Sequence, residues 1–248
     1  MACRIDHITI TAPSLSKGSD LIYESLGVRP QQGGEHPHMG THNLLLRLGD
    51  SIFLEVIAIN HAAARPLHAR WFDLDALPPD APPRLACWVA RTPSIHESIS
   101  SATELLGRPE PMSRGAREWL ISIPEDGHLL RGGAAPMLIE WLAAEHPATT
   151  MQDLGCSLVA LEIHHPEPLV ISGLLDAIDF SEPEVAVTIQ ESAVPGLVAH
   201  INTAEGLRTI RGPSPCRSLV DSFGRAVLRQ LDRIAEREQR LVTSTIDA

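Results

Sequence analysis

The sequence predicts an α+β fold with two tandem βαβββ modules, and three observations support this prediction. Residues 4–13 and 84–93 share one alternation of apolar and polar side chains, which is typical of half-buried strands. A helical pattern follows each of these strands and ends at a glycine, Gly27 in the first copy and Gly107 in the second. Short strand-like runs follow each helix. The chain therefore repeats one structural unit.

The elements of the first module follow in chain order. Residues 14–26 have the apolar spacing of a helix that buries one face. Two runs of aliphatic residues predict strands, at residues 43–48 and 51–59. Four prolines within residues 73–83 predict an irregular linker, because proline lacks the backbone donor that regular structure needs. We therefore place the first module at residues 1–77.

The second module repeats this order after the linker. Residues 94–106 predict its helix, and residues 118–123 and 137–142 predict strands. We place this module at residues 84–150, so that the paired modules together occupy residues 1–150. Aligning the copies at Pro13 and Pro93 also aligns the two helices and their glycine stops.

A weaker copy of the pattern follows the paired modules. It predicts a partial third module at residues 151–212, with a strand at 157–164, a helix at 169–178 and strands at 185–190 and 197–202.

The last segment, residues 213–248, predicts a C-terminal helix. Residues 218–242 carry apolar side chains at three- and four-residue spacing, opposite a face rich in arginine and glutamate. Two interpretations of the apolar stripe stay open. It packs on the sheet of its own chain, or it forms a subunit contact in a homodimer.

Composition excludes several classes of partner. The formal net charge is −11 and Lys17 is the only lysine, which argues against a nucleic-acid partner. No apolar run approaches the roughly 20 residues that cross a bilayer, and the first residues resemble a strand rather than a signal peptide. The four cysteines form no CxxC pair. We expect a cytoplasmic protein with reduced thiols and a small-molecule substrate or ligand.

Strand alternation places two chemically active side chains on one face. His7 and Glu55 both point away from the helix of the first module, toward a concave pocket. A carboxylate in so apolar a strand is costly to bury unless it is paired or binds a metal. Glu140 lies in an equally apolar strand of the second module, which suggests a shared site. The alternative is a core histidine that is hydrogen-bonded to Glu55.

A histidine-rich segment precedes the strand at residues 43–48. It contains glycines that let the backbone approach a ligand closely, and we expect it to lie over the pocket. Its substrate-binding candidates are His38, Thr41, His42 and Asn43, and His36 belongs to the same cluster. The alternative is a solvated polar loop, since histidines without strict spacing are a weak metal signal.

Arg70 and Trp71 follow the first module and precede the linker. An arginine binds a substrate carboxylate or phosphate, and a tryptophan stacks beside it, so both are substrate-binding candidates. The alternative is that Trp71 pins the linker to the core.

Three runs carry a resemblance to a known family: GGEHPHMGTHN at residues 33–43, ARWFDLD at 69–75 and PRLACWVART at 83–92. With the paired modules, they resemble the glyoxalase-like family of the vicinal oxygen chelate superfamily, over residues 4–212. The resemblance implies that the modules form a curled mixed sheet around a pocket. It leaves the reaction open, because one fold hosts many functions.

The resemblance also implies a ligand set for a divalent metal. In metal-dependent members each module supplies one residue from its first strand and a glutamate from its last. Here these are His7 and Glu55, then Cys87 and Glu140. The chain departs from the pattern at Cys87, where a histidine is usual, so Cys87 is either a ligand, a substrate contact or core. The implied metal, which is zinc, nickel, manganese or iron, is then held by His7, Glu55 and Glu140.

Two functions follow from this reading. The first is a metal-dependent lyase or isomerase, in which Glu55 and Glu140 act as catalytic residues on a small oxygenated substrate. The second is a metal-free protein of the same fold that binds or sequesters a small molecule. A structural protein that assembles through its C-terminal helix is a third reading, and a ring-cleaving dioxygenase would need a second histidine.

Overall fold

The computed structural model describes residues 2–100, 102, 106–115, 117–142 and 145–212. Its first module has the predicted βαβββ order and consists of β1 (Arg4–Thr11), α1 (Leu15–Leu26), β2 (Gln31–His36), β3 (Thr41–Arg47) and β4 (Phe53–Ile59). Helix α1 begins where the Ser14 side chain accepts a hydrogen bond from Lys17 N. It ends at Gly27, whose φ of 75° suits glycine and whose N–H donates to Tyr23 O.

The second module repeats this order as β5 (Arg84–Arg91), α2 (Ile95–Ser100), β6 (Arg108–Arg114), β7 (Arg117–Ile123) and β8 (Met137–Trp141). All eight strands form one mixed sheet in the order β2-β3-β4-β1-β5-β8-β7-β6. The modules join where β1 pairs antiparallel with β5, and in each module the last strand lies beside the first. The predicted α+β fold with tandem modules is therefore confirmed.

Two segments are more regular than the sequence suggested. The histidine-rich segment at residues 33–43 forms most of a hairpin between β2 and β3, not a covering loop. Gly33 and Gly34 are tolerated because β2 is an edge strand, where a register shift accommodates them. The proline-rich linker contains a short 3₁₀ helix at Leu74–Ala76.

A second sheet follows the paired modules. Its elements are β9 (Ser157–His165), α3 (Pro168–Ala177), β10 (Ala186–Glu191), β11 (Gly196–Thr203) and β12 (Gly206–Arg211). The strand order is β10-β9-β11-β12, so the first strand after the helix, and not the last, lies parallel beside the initial strand. The segment predicted as a partial third module has the same element order but a different topology. The third strand after the helix, β12, was not predicted.

The main core lies between the eight-stranded sheet and its helices. Ile8, Ile10 and Leu54 are fully buried on this side, together with Ile22 of α1. This packing commits one face of β1 and β4 to the helices and leaves the opposite, concave face for other side chains. The predicted C-terminal helix at residues 213–248 lies outside the described residues. In the described part of the chain, no helix is long and apolar enough to cross a bilayer.

Candidate active site

A narrow cavity lies on the concave face of the eight-stranded sheet. Residues of both modules line it, with polar groups on one side and aromatic rings around them. The polar group comprises His7, His36, Asn43, Glu55 and Arg114. The apolar wall includes Phe53, Trp71, Phe72, Trp119 and Trp141. The cavity therefore combines a few converging polar groups with an apolar body, as small-molecule sites do.

Asp6 and His7 form a buried pair because β1 contains a bulge. Ile5 pairs with one residue of β5 and His7 pairs with the next one, so Asp6 has no partner of its own in this ladder. The bulge allows neighbouring side chains to meet, although strict alternation would point them to opposite faces. Asp6 Oδ1 and His7 Nδ1 are 2.6 Å apart, and Asp6 is completely buried.

Three donors surround the Asp6 carboxylate. Oδ1 accepts from His7 Nδ1, and Oδ2 accepts from Trp141 Nε1 at 2.8 Å and from His146 Nε2 at 2.9 Å. The tautomer of His146 follows from its other nitrogen, because Nδ1 accepts from Ala148 N and Nε2 must then carry the proton. These bonds match the acceptor capacity of an ionised carboxylate.

The charge of Asp6 in turn fixes the state of His7. Burial raises the pKa of Asp6, but the hydrogen bonds from His146 and His7 outweigh burial and hold this pKa well below its usual range. The ionised carboxylate keeps a proton on His7 Nδ1. In this tautomer Nε2, on the side of Glu55, is the ring nitrogen that can accept a proton inside the cavity, as a general base does.

Glu55 faces His7 from the neighbouring strand. Its Oε2 lies 3.7 Å from His7 Nε2, and its Oε1 accepts a 2.6 Å hydrogen bond from Asn43 Nδ2. The orientation of the Asn43 amide follows from its oxygen, which accepts from Gly34 N at 2.9 Å. A Cβ on Gly33 would lie 2.1 Å from Asn43 Oδ1. The glycine pair therefore approaches Asn43, and through it positions Glu55.

Arg114 brings a cation into the cavity from the second module. Its Nη1 lies 3.2 Å from Asn43 Oδ1 and 3.4 Å from His36 Nε2. Burial lowers the pKa of His36 to about 3, with a further contribution from the Arg114 charge. A neutral His36 accepts at Nε2 and donates through Nδ1 to Thr41 Oγ1 at 3.1 Å. Both neighbours of the guanidinium are thus uncharged.

Glu140 does not line the cavity. In β8 the cavity-lining residues are Ile139 and Trp141, so alternation turns Glu140 to the helical side, where its Oε2 accepts from Ile95 N at 2.8 Å. Strand pairing gives the reason. Met137 on β8 pairs with β5 at the position equivalent to the one where Glu55 on β4 pairs with β1. Glu140 lies three residues after Met137, and because this number is odd its side chain is on the opposite face. The predicted set of His7, Glu55 and Glu140 is not brought together.

We expect Glu140 to stabilise the start of α2, and a substitution tests this role. Because its carboxylate accepts from the first N–H of α2, we expect Glu140→Gln to lower the free energy of unfolding by about 0.5–1 kcal/mol through loss of the charge–dipole interaction. Thermal denaturation measures this change. Glu110→Gln, on an exposed position of β6, is the control and should change stability by less than about 0.5 kcal/mol. Equal stability of the two variants would contradict this assignment.

The other predicted substrate-binding residues separate into three groups. Asn43 and Trp71 line the cavity, and Trp71 meets the His36 ring edge-on. His38 is exposed and lies beside His68, and His42 points away from the side of Asn43 on β3. Thr41, Arg70 and Cys87 form the third group and are buried in the protein.

Thr41 binds His36, whereas Arg70 forms an ion pair with Asp75 at 2.6 Å and so is occupied. Cys87 shares a face with Glu55 but does not line the cavity. Burial, with a contribution from the Glu55 charge, raises the pKa of the Cys87 thiol far above its usual range. A thiol in that state is a core group and a poor metal ligand.

The donor atoms present test the divalent metal that the resemblance implies. His7 Nε2 and Glu55 Oε2 supply two donors, and in the described part of the chain no three His, Cys, Asp or Glu side chains converge as a metal-binding group. Arg114, a cation itself, lies one amide away from Glu55. Because resident metals usually take three or more protein ligands, these residues do not fit a resident divalent metal.

Sequence reasoning missed Asp6, Arg114 and His146 as parts of this site. Asp6 carried a usable signal, because a charged residue between Ile5 and Ile8 in a buried strand needs partners. Arg114 carried none, since it is one of many arginines and reaches the cavity only through the curl of the sheet.

Comparisons with known proteins agree with the fold. The glyoxalase-like domain model matches residues 5–178. A hypothetical protein from Staphylococcus aureus has a similar structure, with 16% identity and a TM-score of 0.56, over 79% of this chain and 88% of that one. This likeness shows the fold alone. No curated protein matches the chain significantly.

Two enzymes from Streptomyces coelicolor show weaker structural likeness, and neither supports an argument about function. One is a methylmalonyl-CoA epimerase variant in complex with 2-nitronate-propionyl-CoA, with 16% identity and a TM-score of 0.41, over 59% of this chain and all (100%) of that chain. The other is a mutant 4-hydroxymandelate synthase, with 16% identity and a TM-score of 0.43, over 85% of this chain and 62% of that one. The family model covers most of the chain, which therefore belongs to the glyoxalase-like domain family.

Proposed function

We propose that this protein is an isomerase that moves a proton between neighbouring atoms of a small oxygenated substrate, with His7 as the base. The observation that carries the proposal is the buried Asp6–His7 pair beside Glu55. His7 Nε2 removes a proton from the carbon beside a carbonyl, and the electron pair of the broken C–H bond moves to the carbonyl oxygen. In a 2-hydroxy carbonyl substrate the hydroxyl proton moves to the enolate oxygen, and the proton that His7 took passes through the Glu55 carboxylate to the former carbonyl carbon, so that His7 and Glu55 both return to their starting states.

The geometry favours a proton shift over inversion of one carbon. His7 Nε2 and Glu55 Oε2 lie 3.7 Å apart in one wall of the cavity. Two proton carriers on the same side reach adjacent atoms on one face of a substrate. Inversion at one carbon requires carriers on opposite faces, and Glu140, the other predicted carboxylate, lies outside the cavity.

Chain residues alone support this chemistry. The ionised Asp6 stabilises the imidazolium that forms when His7 accepts the proton, as a buried carboxylate does in other acid–base pairs. Asn43 donates to Glu55 and holds it in place. The aromatic wall excludes water from the enolate.

Hydrogen–deuterium exchange tests the proposal directly. We expect the protein, after dialysis against EDTA, to exchange the C–H beside the carbonyl in a panel of 2-oxo acids, 2-hydroxy ketones and 2-hydroxy aldehydes, followed by proton NMR in D₂O. Elemental analysis of the same sample checks for residual metal. Absence of exchange across the panel contradicts the isomerase. Exchange that is lost with EDTA and restored by a divalent metal contradicts the metal-free mechanism.

A metal-free binding protein is the second candidate. The aromatic wall and the Arg114 guanidinium, which contacts no carboxylate among the described residues, would hold an anionic ligand equally well without any reaction. This function predicts that a ligand raises the melting temperature while no compound in the panel exchanges a proton.

A further inference from the structure

We propose that Arg114 binds a carboxylate, and that the substrate is a monocarboxylic acid with an apolar body that contacts the aromatic wall. This inference rests on the proposed function where it calls the bound acid a substrate. A binding protein would take the same chemical class as its ligand. It goes further in naming the class, which neither the proton-transfer pair nor the fold determines.

Arg114 reaches the cavity because the sheet is curled. Strands β2 and β6 are at opposite ends of the eight-stranded order, yet the curl of the sheet brings Arg114, at the end of β6, against Gly34 of β2. A Cβ at position 34 would lie 2.8 Å from Arg114 Cδ. Glycine thus leaves room for the side chain to pass beside β2, and its guanidinium reaches Asn43 and His36.

Arg114 contacts no carboxylate directly among the described residues, and its hydrogen-bonding neighbours, Asn43 and a neutral His36, carry no charge. Burial lowers the pKa of Arg114, although the charge of Glu55, which lies beyond the Asn43 amide, acts to raise it. Arg70, which does not line the cavity, shows the contrast because it forms an ion pair with Asp75. A half-buried guanidinium that contacts no anion is costly, and an anionic ligand removes that cost.

The Arg114 guanidinium has hydrogen-bond donors to spare. Both contacts of the guanidinium use Nη1, and its remaining N–H groups have no protein acceptor among the described residues. An arginine presents its donors in a planar fork that matches the two oxygens of a carboxylate. Trp71, in the same wall, has a buried indole N–H without a partner in the described part of the chain. The cavity therefore has hydrogen-bond donors that no described protein group accepts from, and one of them belongs to a cation.

Aromatic rings line the part of the cavity that would contact the body of the ligand. Trp119 and Trp141 pack with their ring centroids 5.4 Å apart, and Trp71 and Phe72 stack at 5.4 Å on another part of the wall. Aromatic walls of this kind favour a ligand whose body is apolar. A second charge on the ligand would have no counter-ion here, which restricts the class to monoanions.

Paired ligands test the inference. Phenylacetate and phenylacetamide have the same shape and differ in charge, and binding to either is followed by the fluorescence of the cavity tryptophans. We expect phenylacetate to bind on the order of tenfold to a hundredfold more tightly, because charge-assisted hydrogen bonds distinguish the two. Arg114→Met should remove this preference and leave phenylacetamide binding within about twofold, whereas Arg114→Lys should retain part of it.

A matched variant controls for loss of surface charge. Arg108→Met makes the same change at an exposed position of β6 and should leave both affinities unchanged. Equal affinities for the two compounds, no binding of either at millimolar concentration, or an unaltered preference in Arg114→Met overturns the inference. Circular dichroism of each variant confirms that the fold is intact before binding is compared.

The inference and the proposed function fail in different ways. If phenylacetate binds through Arg114 while no carboxylic acid in the exchange panel loses a C–H proton, the isomerase falls and the anion site stands. If neutral ketones exchange as readily as 2-oxo acids and Arg114→Met exchanges at the parent rate, the isomerase stands and the anion site falls.

Discussion

Replacing His7 with glutamine is expected to slow proton exchange by roughly 10²–10⁴-fold, because it removes the general base and keeps the cavity filled. The glutamine side chain still reaches Asp6, so the buried carboxylate retains a donor and the fold is maintained. Proton NMR in D₂O, with the compound that exchanges fastest in the parent protein, measures the rate.

His96→Gln is the control for this variant. His96 is exposed on α2 and lies on the helical side of the sheet, so its replacement should leave the exchange rate unchanged. Exchange by His7→Gln at more than a tenth of the parent rate would contradict a base at His7. A joint fall of the exchange rate in both variants would point to a stability effect instead.

Replacing Asp6 with alanine is expected to lower the stability of the protein strongly. The change leaves His7, Trp141 and His146 without their buried acceptor, and each orphaned donor costs about 1–3 kcal/mol. We therefore expect the free energy of unfolding to fall by about 3 kcal/mol or more, measured by chemical denaturation. Asp20→Ala, at an exposed position that pairs with Arg29, should change stability by less than about 0.5–1 kcal/mol.

The conservative change Asp6→Asn distinguishes the role of Asp6 in orienting His7 from its role in stabilising the fold. The amide fills the same space, but its nitrogen donates to His7 Nδ1 and moves the ring proton to Nε2, so the base is lost. We expect exchange to fall by on the order of 10³-fold while most of the unfolding free energy lost in Asp6→Ala is recovered. A variant that is both stable and fully active would contradict the assignment of Asp6 as the positioning residue for His7.

Asp6 also gives stability a defined pH dependence. Its pKa is held below the unfolded value of about 3.9, so its contribution is complete above that pH and is lost as the pH falls toward the folded pKa. The parent protein should therefore lose more stability below about pH 4 than Asp6→Asn, which has no carboxyl group to protonate at this position. Parallel loss in both proteins contradicts the burial of an ionised Asp6.

The sequence by itself determined the repeat and the pairing of His7 with Glu55 on one face. Both follow from local rules, because the apolar period identifies strands and helices and the alternation of a regular strand assigns each side chain to a face. The family resemblance followed from motifs along the chain, and the family model over residues 5–178 confirms it.

Only the tertiary structure decided which residues complete the site. The bulge at Asp6 breaks the alternation on which sequence reasoning relied, and it depends on how β1 pairs with β5. An odd shift in the β8 register turned Glu140 to the helical side. Arg114 meets Gly34 because the sheet curls and brings its two edges together. Such contacts depend on strand pairing between distant segments, which no local pattern encodes.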